Sequence, residues 1–195
     1  MDNQFNVTQP FEPGLWQLKQ NRERYRVPAN GSILVDLYPG DQLVLQDPEG
    51  GQPAEIISFD QSGKSNLGIF GKSDSKSAKG LHKILASGTQ SSARLKLELE
   101  KRSFDWSRAM AIECFSIETP PGEEESFEIS EKTACLISAP GKDMSVEGEI
   151  FPPTDLRVFI ERVNPPDESE EFLPEPLADP RIDLRINKCT AQAFL

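Results

Sequence analysis

Three polar residues around one turn, Asp47, Gln52 and Glu55, are the candidates for ligand binding in this sequence. They flank a DPEGG stretch, whose Pro and Gly residues favour a turn. If the turn lines a pocket, these side chains would contact a ligand. A carboxylate does general acid–base work only in a pocket that shifts its pKa. The alternative is that the acids only help to form the turn, and the sequence assigns no catalytic residue.

Histidine and cysteine are too few and too scattered to indicate a metal centre or a nucleophilic enzyme. The chain has one His, His82, and three Cys, at Cys114, Cys135 and Cys189, with no CxxC pair. A zinc site needs three or four ligands that converge. Cys114 and Cys135 fit better as small apolar core residues. His82 has no nucleophile elbow near it, and no glycine run has phosphate-loop spacing, so we expect no metal and no cofactor in this chain.

The charge balance excludes whole classes of partner. The 195 residues include 21 Lys and Arg against 32 Asp and Glu, for a net charge of −11. Nucleic-acid binding requires a basic face, so no nucleic acid is expected. No apolar run approaches the roughly 20 residues of a membrane span, so no membrane contact is expected. The N-terminus has no signal-peptide pattern, and unpaired Cys favour the cytoplasm.

Short alternating segments separated by turns predict a mainly β protein. The candidate strands lie at 33–38, 43–46, 54–60, 109–118, 126–130, 132–141 and 155–163. Their spacing is typical of an antiparallel β-sandwich or a small barrel. In the last of these strands, Phe159 falls on the polar side of the alternation, which suggests that both faces of the strand are partly covered.

The middle of the chain interrupts this pattern and predicts one or two inserted helices. Residues 61–80 are rich in Ser, Gly and Lys, and we interpret them as a long, mobile surface loop. Residues 81–87 predict one or two helical turns. Residues 91–102 combine strong helix formers with an N-cap at Ser91 or Ser92, although alternating leucines also fit a strand.

Composition divides the chain into four parts. Residues 1–23 are a polar N-terminal arm, and residues 24–163 are the β-rich domain. Residues 164–180 contain five Pro and six acidic residues with no basic residue, which is the composition of a stiff, self-repelling linker. Residues 181–195 are either the start of a second domain, in which case the chain is a fragment, or a C-terminal strand that docks on the first.

Two strings of sequence carry a family resemblance. These are YRVPANGSILVDLYPGDQLVLQDPEGGQPAEI near the front, and ACLISAPG followed by DLRVFIERV near the back. Residues 24–163 thereby resemble the urea-carboxylase-associated family, a β-rich domain without an assigned function. Glu55 stands where the family has Asp. Stand-alone members have a Cys- and His-rich middle, whereas residues 61–118 hold one His and one Cys, which argues against metal-dependent chemistry.

The order of segments resembles a subgroup fused in front of a glycine-cleavage T-protein-like aminomethyltransferase. That resemblance implies a non-catalytic accessory or ligand-sensing domain of a folate-dependent one-carbon enzyme. Tetrahydrofolate would then bind in a later module, and the partners would be downstream domains of the same polypeptide and a small-molecule ligand. One alternative is a stand-alone small-molecule enzyme of amidine or urea metabolism. The other is an acidic adaptor with a cationic partner.

Overall fold

The computed structural model describes residues 21–72, 76–141 and 152–163 with their side chains, and the backbone of residues 191–194. Within these residues the chain forms ten strands, two α-helices, and short 3-10 helices at Leu67–Phe70 and Trp106–Arg108. The strands are β1 Arg22–Val27, β2 Ser32–Leu37, β3 Gln42–Asp47, β4 Ala54–Phe59, β5 Lys76–Ser77, β6 Met110–Cys114, β7 Glu123–Glu128, β8 Thr133–Ser138, β9 Leu156–Glu161 and β10 Ala191–Phe194. The helices are α1 Lys79–Ala86 and α2 Gln90–Lys101.

The strands form two antiparallel sheets that pack face to face. One sheet has the order β1-β9-β3-β7, and the other has the order β10-β2-β8-β4-β6-β5. Alternate residues of each strand point to opposite faces, so Leu43 and Leu45 of β3 meet Ile33 and Val35 of β2 in the core between the sheets. The predicted antiparallel β-sandwich with inserted helices is therefore confirmed.

The two helices form a third layer on the outer face of the six-stranded sheet. Leu34, Ile57 and Leu136 of that sheet pack with Leu81 of α1 and Leu95 of α2 in a second apolar core. These sheet residues lie one position away from those that enter the sandwich core. Both faces of the central strands are therefore buried, and β4 and β8 are buried at every position.

Both predicted helices exist. The N-cap of α2 is Thr89, whose hydroxyl oxygen accepts a hydrogen bond from the Ser92 backbone N–H at 3.1 Å. The cap thus lies before Ser91 and Ser92, the two predicted cap residues. The strand that the alternating leucines also fitted does not form. Leu95 and Leu99, four residues apart, form the buried stripe of a helix, while Leu97 is exposed.

The interpretation of residues 61–80 as a surface loop is wrong for its central part. Leu67, Ile69 and Phe70 belong to the sandwich core, and their 3-10 helix is capped by the Asn66 side chain. The stretch as a whole is polar, which led to the prediction of a surface loop. It nevertheless contains three apolar side chains, which a single tight turn buries together. Residues 73–75 lie outside the described part of the chain.

The division of the chain into four parts stays a prediction, and two described strands lie near its predicted boundaries. Strand β1 begins at Arg22, slightly before the predicted boundary at residue 24, and residues 1–20 lie outside the described ranges. The predicted linker, residues 164–180, also lies outside them. Strand β10 pairs with β2 at one edge of the six-stranded sheet, as the docking alternative for residues 181–195 describes. The other alternative, the start of a second domain, stays a prediction.

A buried arginine fastens the end of β9 to its neighbours. The Arg162 guanidinium bonds the Asp41 carboxylate at 2.5 Å and the Glu23 carboxylate at 2.9 Å, and it donates to the Asp36 carbonyl oxygen at 2.9 Å. Burial alone would lower the pKa of Arg162, but the hydrogen bonds and charges of the two carboxylates raise it above the ordinary arginine value. This cluster links β9 to β1 and to the β2–β3 turn.

Candidate functional site

A line of polar side chains crosses the six-stranded sheet beneath the helices. Ser32 of β2 is paired with Ser138 of β8, Ser138 with Glu55 of β4, and Glu55 with Glu113 of β6. Each lies two residues from a side chain in the helix-side core, so all four point to the helix layer. We call these four residues the polar row. Ser138 is completely buried, and Glu55 is only 4% exposed.

The Glu55 carboxylate is held by the first turn of α1. Its Oε1 accepts a hydrogen bond from the Gly80 N–H at 2.6 Å, and its Oε2 accepts one from the Leu81 N–H at 2.8 Å. These amides have no partner within the helix, and the helix dipole also favours a negative charge there. Each carboxylate oxygen keeps a second lone pair that can accept a further hydrogen bond.

Burial raises the pKa of Glu55 above its ordinary value. The hydrogen bonds from Gly80 and Leu81 lower it, the negative charge of Glu113 raises it, and His82 lowers it, but burial outweighs the rest. A carboxyl group in this state holds its proton at a higher pH than an exposed glutamate does. It can therefore act as a proton donor or acceptor closer to neutral pH.

A glycine at the start of α1 permits this arrangement. A Cβ at Gly80 would lie 2.6 Å from Pro140 Cγ and 2.8 Å from Glu55 Cδ. Both separations are well below van der Waals contact. The absence of a side chain at residue 80 therefore lets the helix N-terminus approach both the carboxylate and the end of β8.

Gln52 holds together three segments beside the polar row. Its Nε2 donates hydrogen bonds to the carbonyl oxygens of Pro53 and Pro140 at 2.7 and 3.0 Å. Its Oε1 accepts a hydrogen bond from the Thr154 backbone N–H at 2.9 Å. The side chain is buried and makes three of the four hydrogen bonds that we count for an amide. In this structure it links the β3–β4 turn, the end of β8 and the chain before β9.

Asp47 closes the turn in which it lies. Its Oδ1 accepts a hydrogen bond from the Gly50 N–H at 3.0 Å, and its Oδ2 accepts one from the Gln52 N–H at 2.8 Å. The carboxylate is fully buried. The structure thus joins Asp47 to Gln52. Gln52 bonds the Pro140 carbonyl oxygen, and Glu55 bonds Gly80, which lies against the Pro140 ring. A ligand-binding role for these three residues stays a prediction, because the hydrogen bonds of their side chains within the described residues go to backbone groups.

The sequence gives little indication of the other members of the site. Ser32, Ser138 and Glu113 are far apart along the chain and meet only through the strand order of the sheet. The His82 ring lies at the edge of the site, where its Nε2 is 3.1 Å from the Trp106 carbonyl oxygen. The one available hint is a serine at the end of an apolar strand, since a buried hydroxyl needs a partner. Ser32 begins β2 and Ser138 ends β8, and their hydroxyl groups bond each other at 2.9 Å.

The two cysteines that the structure describes contribute no reactive thiolate to this region. Cys114 and Cys135 are buried in the sandwich core, and burial raises the pKa of both thiols. A thiol in this state is a poor nucleophile and a poor metal ligand. Among the residues that the structure describes, no three His, Cys, Asp or Glu side chains are grouped so as to hold a metal ion. Cys189 lies outside those residues.

No described helix is long and apolar enough to cross a membrane.

Comparison with known proteins corrects the expected function. No protein-family model matches the chain. One curated relative, from Ruegeria pomeroyi, is named as an aldolase, which is an enzyme and not an aminomethyltransferase. The expectation of a non-catalytic accessory domain in an aminomethyltransferase-like, glycine-cleavage or one-carbon protein is therefore wrong. The finding agrees better with the alternative of a small-molecule enzyme, while the resemblance to the urea-carboxylase-associated family stays a prediction.

The match covers nearly all of this chain but only a part of the relative. The aligned region covers 94% of this chain but 23% of the relative, so the chain spans about a quarter of the length of the curated protein that it matches. Over 184 aligned residues at 36% identity, the chain is similar to the trimethylamine-oxide aldolase of Ruegeria pomeroyi.

Proposed function

We propose that this chain forms part or all of an enzyme that cleaves a small tertiary amine oxide by aldolase-type chemistry. The observation that carries the proposal is its 36% identity, over 94% of the chain, to a protein named trimethylamine-oxide aldolase. The polar row supports it from the structure, because it contains a buried carboxyl group whose pKa is raised. Trimethylamine oxide is the reference substrate.

The chemistry of such a cleavage requires a group that moves a proton. Trimethylamine oxide contains the same atoms as one dimethylamine and one formaldehyde molecule, so the cleavage needs no external oxidant or reductant. The nitrogen–oxygen bond breaks and the oxygen becomes bonded to a former methyl carbon, and the bond between that carbon and the nitrogen then breaks, which releases formaldehyde and dimethylamine. One proton leaves that carbon, and one is delivered to the nitrogen. A single carboxylate can accept the first proton and return the second.

Glu55 is the residue of this chain that best fits the role. Its raised pKa brings its proton affinity closer to neutral pH, and its oxygens retain lone pairs beyond the two backbone hydrogen bonds. A carboxylate also attracts the cationic nitrogen of an amine oxide. The helix N-terminus keeps the carboxylate in one orientation, which is what a proton-transfer group needs.

The proposal is tested with purified chain and trimethylamine oxide. Binding is measured by calorimetry and aldehyde release by a colorimetric assay, with urea and guanidine as alternative substrates. We expect the amine oxide to bind and release aldehyde, and Glu55→Gln to reduce release at least tenfold. Glu128→Gln, at an exposed glutamate on β7 of the other sheet, is the matched control and should retain most of the release.

Two results would contradict the proposal. One is wild-type chain that neither binds trimethylamine oxide nor releases aldehyde from it. The other is turnover of urea or guanidine in preference to the amine oxide. If Glu55→Gln retains full aldehyde release, the enzyme assignment stands, but Glu55 is not its proton-transfer group.

A further inference from the structure

Four arginines lie on the outer face of the four-stranded sheet, on the side away from the sandwich core. In β1, Tyr25 and Val27 enter the core, so Arg22, Arg24 and Arg26 point outward. In the neighbouring strand β9, Arg157 points outward in register with Arg26. We call these four residues the arginine face.

Phe159 lies at the centre of the arginine face and organises it. It is paired with Arg24 across the two strands, and it points outward although it is only 7% exposed. The guanidinium carbon of Arg22 lies 4.6 Å from the centre of its ring, and that of Arg24 lies 5.7 Å away. These are cation–π distances, so the arginines cover the ring and are held together above the sheet.

Acids directly beside the arginine face pair with two of its four arginines. Asp155 bonds Arg26 at 2.5 Å, and Glu161 lies 3.6 Å from Arg22. On β1, β9 and the chain just before β9, four positive charges therefore face two negative ones. Two further acids of the same sheet face, Glu124 and Glu128, lie on β7, which is separated from β9 by β3. The positive charge is thus confined to the β1–β9 half of this face. Burial and the neighbouring Arg157 lower the pKa of Arg24, as expected where like charges crowd.

We propose that the arginine face is the docking surface for the acidic segment of the same chain, residues 164–180. This segment has six acidic residues and no basic residue, so its charge is opposite to that of the surface. It begins directly after Val163, two residues beyond the end of β9, which carries Arg157 and Phe159. Tethering beside the surface gives it a high effective concentration there. Carboxylates also pair well with guanidinium groups.

The test follows the cleavage of residues 164–180 by subtilisin in the full chain, with mass spectrometry to locate the cuts. In Arg24→Glu, the docked segment should be released. We expect its cleavage rate to rise about fivefold over wild type at low salt, the effect of losing a few surface ion pairs. Arg94→Glu makes the same charge change on the exposed face of α2 and should leave the rate unchanged. Added salt should raise the rate in wild type but not in Arg24→Glu.

A second variant distinguishes the loss of charge pairing from a folding defect caused by Arg24→Glu. Glu170→Lys with Glu171→Lys reverses charge on the segment and leaves the sheet unaltered, and it should raise the cleavage rate as Arg24→Glu does. Equal rates in wild type, Arg24→Glu and the double variant would overturn the proposal. So would sedimentation showing a dimer that Arg24→Glu dissociates, because the occupant would then be a second copy of the chain.

Discussion

Replacing Glu55 with Gln removes one of the two acceptors that hold the N-terminus of α1. The two oxygens of the Glu55 carboxyl group accept hydrogen bonds from Gly80 and Leu81, and each oxygen keeps an acceptor lone pair when the group is protonated. A Gln side chain has one acceptor oxygen and turns its NH₂ group toward the other amide. A buried N–H left without an acceptor costs about 1–3 kcal/mol. We therefore expect Glu55→Gln to lower the free energy of unfolding by about 1–3 kcal/mol at pH 4.

The pH dependence of this difference tests the cause of the pKa shift. Below pH 4.5, the pKa of Glu55 in the unfolded chain, the carboxyl group is protonated in both the folded and the unfolded state. The free energy of unfolding of the wild type then exceeds that of Glu55→Gln by its largest amount. As the pH rises, the unfolded chain ionises first, because the folded pKa of Glu55 is raised. The folded state then binds more protons than the unfolded state, so wild-type stability falls with rising pH. Glu55→Gln lacks this titration, and the difference between the two proteins should shrink.

The assay is urea denaturation of both proteins from pH 4 to pH 8, followed by tryptophan fluorescence. Other titrating groups are common to both proteins and cancel in the difference. Glu113→Gln, an exposed neighbour, should change stability by less than about 0.5 kcal/mol. A wild-type advantage that grows with pH would refute the reasoning. It would mean that the backbone hydrogen bonds outweigh burial and that the folded pKa lies below the unfolded one.

Three further perturbations test other parts of the structure. Gly80→Ala should destabilise the fold by about 1–3 kcal/mol in urea denaturation, because its Cβ would overlap Pro140. Gly68→Ala should cost less, because its Cβ would approach only the Asn66 side-chain oxygen, at 3.2 Å. Arg162→Met should cost about 3–5 kcal/mol in the same assay, because it leaves two carboxylates without their buried partner, and exposed Arg157→Met should cost under 1 kcal/mol. The Cys114 thiol should resist iodoacetamide at pH 8 in the folded chain and react in urea, as peptide mass mapping would show; rapid labelling of folded protein would contradict its burial.

Most of the strands and both helices were predictable because local pattern determines them, whereas β1 and the two-residue β5 were not among the predicted strands. Alternation in β2 and β3, with the turn at Gly40 between them, is a short-range signal, and Gly40 indeed adopts a positive φ of 88°. The helix at α2 was predictable from its strong helix formers. The side chains of Leu67 to Phe70 escaped prediction because a four-residue turn has too few positions to show a period, and its burial depends on the two sheets around it.

The sequence indicated individual residues of the candidate site but not the residues that surround them in the fold. Asp47, Gln52 and Glu55 stand out in the sequence because acids cluster at a turn, yet nothing local indicates that Glu55 lies between Ser138 and Glu113. That neighbourhood depends on the order of strands in the sheet, which links residues more than fifty positions apart. The outward orientation of Phe159 was visible from alternation, whereas the arginines that cover it come from another strand.

The most direct test of the central claim is ¹³C NMR of trimethylamine oxide labelled in its methyl groups and incubated with the purified chain. The account predicts that the amine-oxide signal falls while hydrated formaldehyde and dimethylamine appear in equal amounts, and that Glu55→Gln slows their appearance at least tenfold. An unchanged amine-oxide spectrum with the wild-type chain, together with no binding by calorimetry, would contradict it.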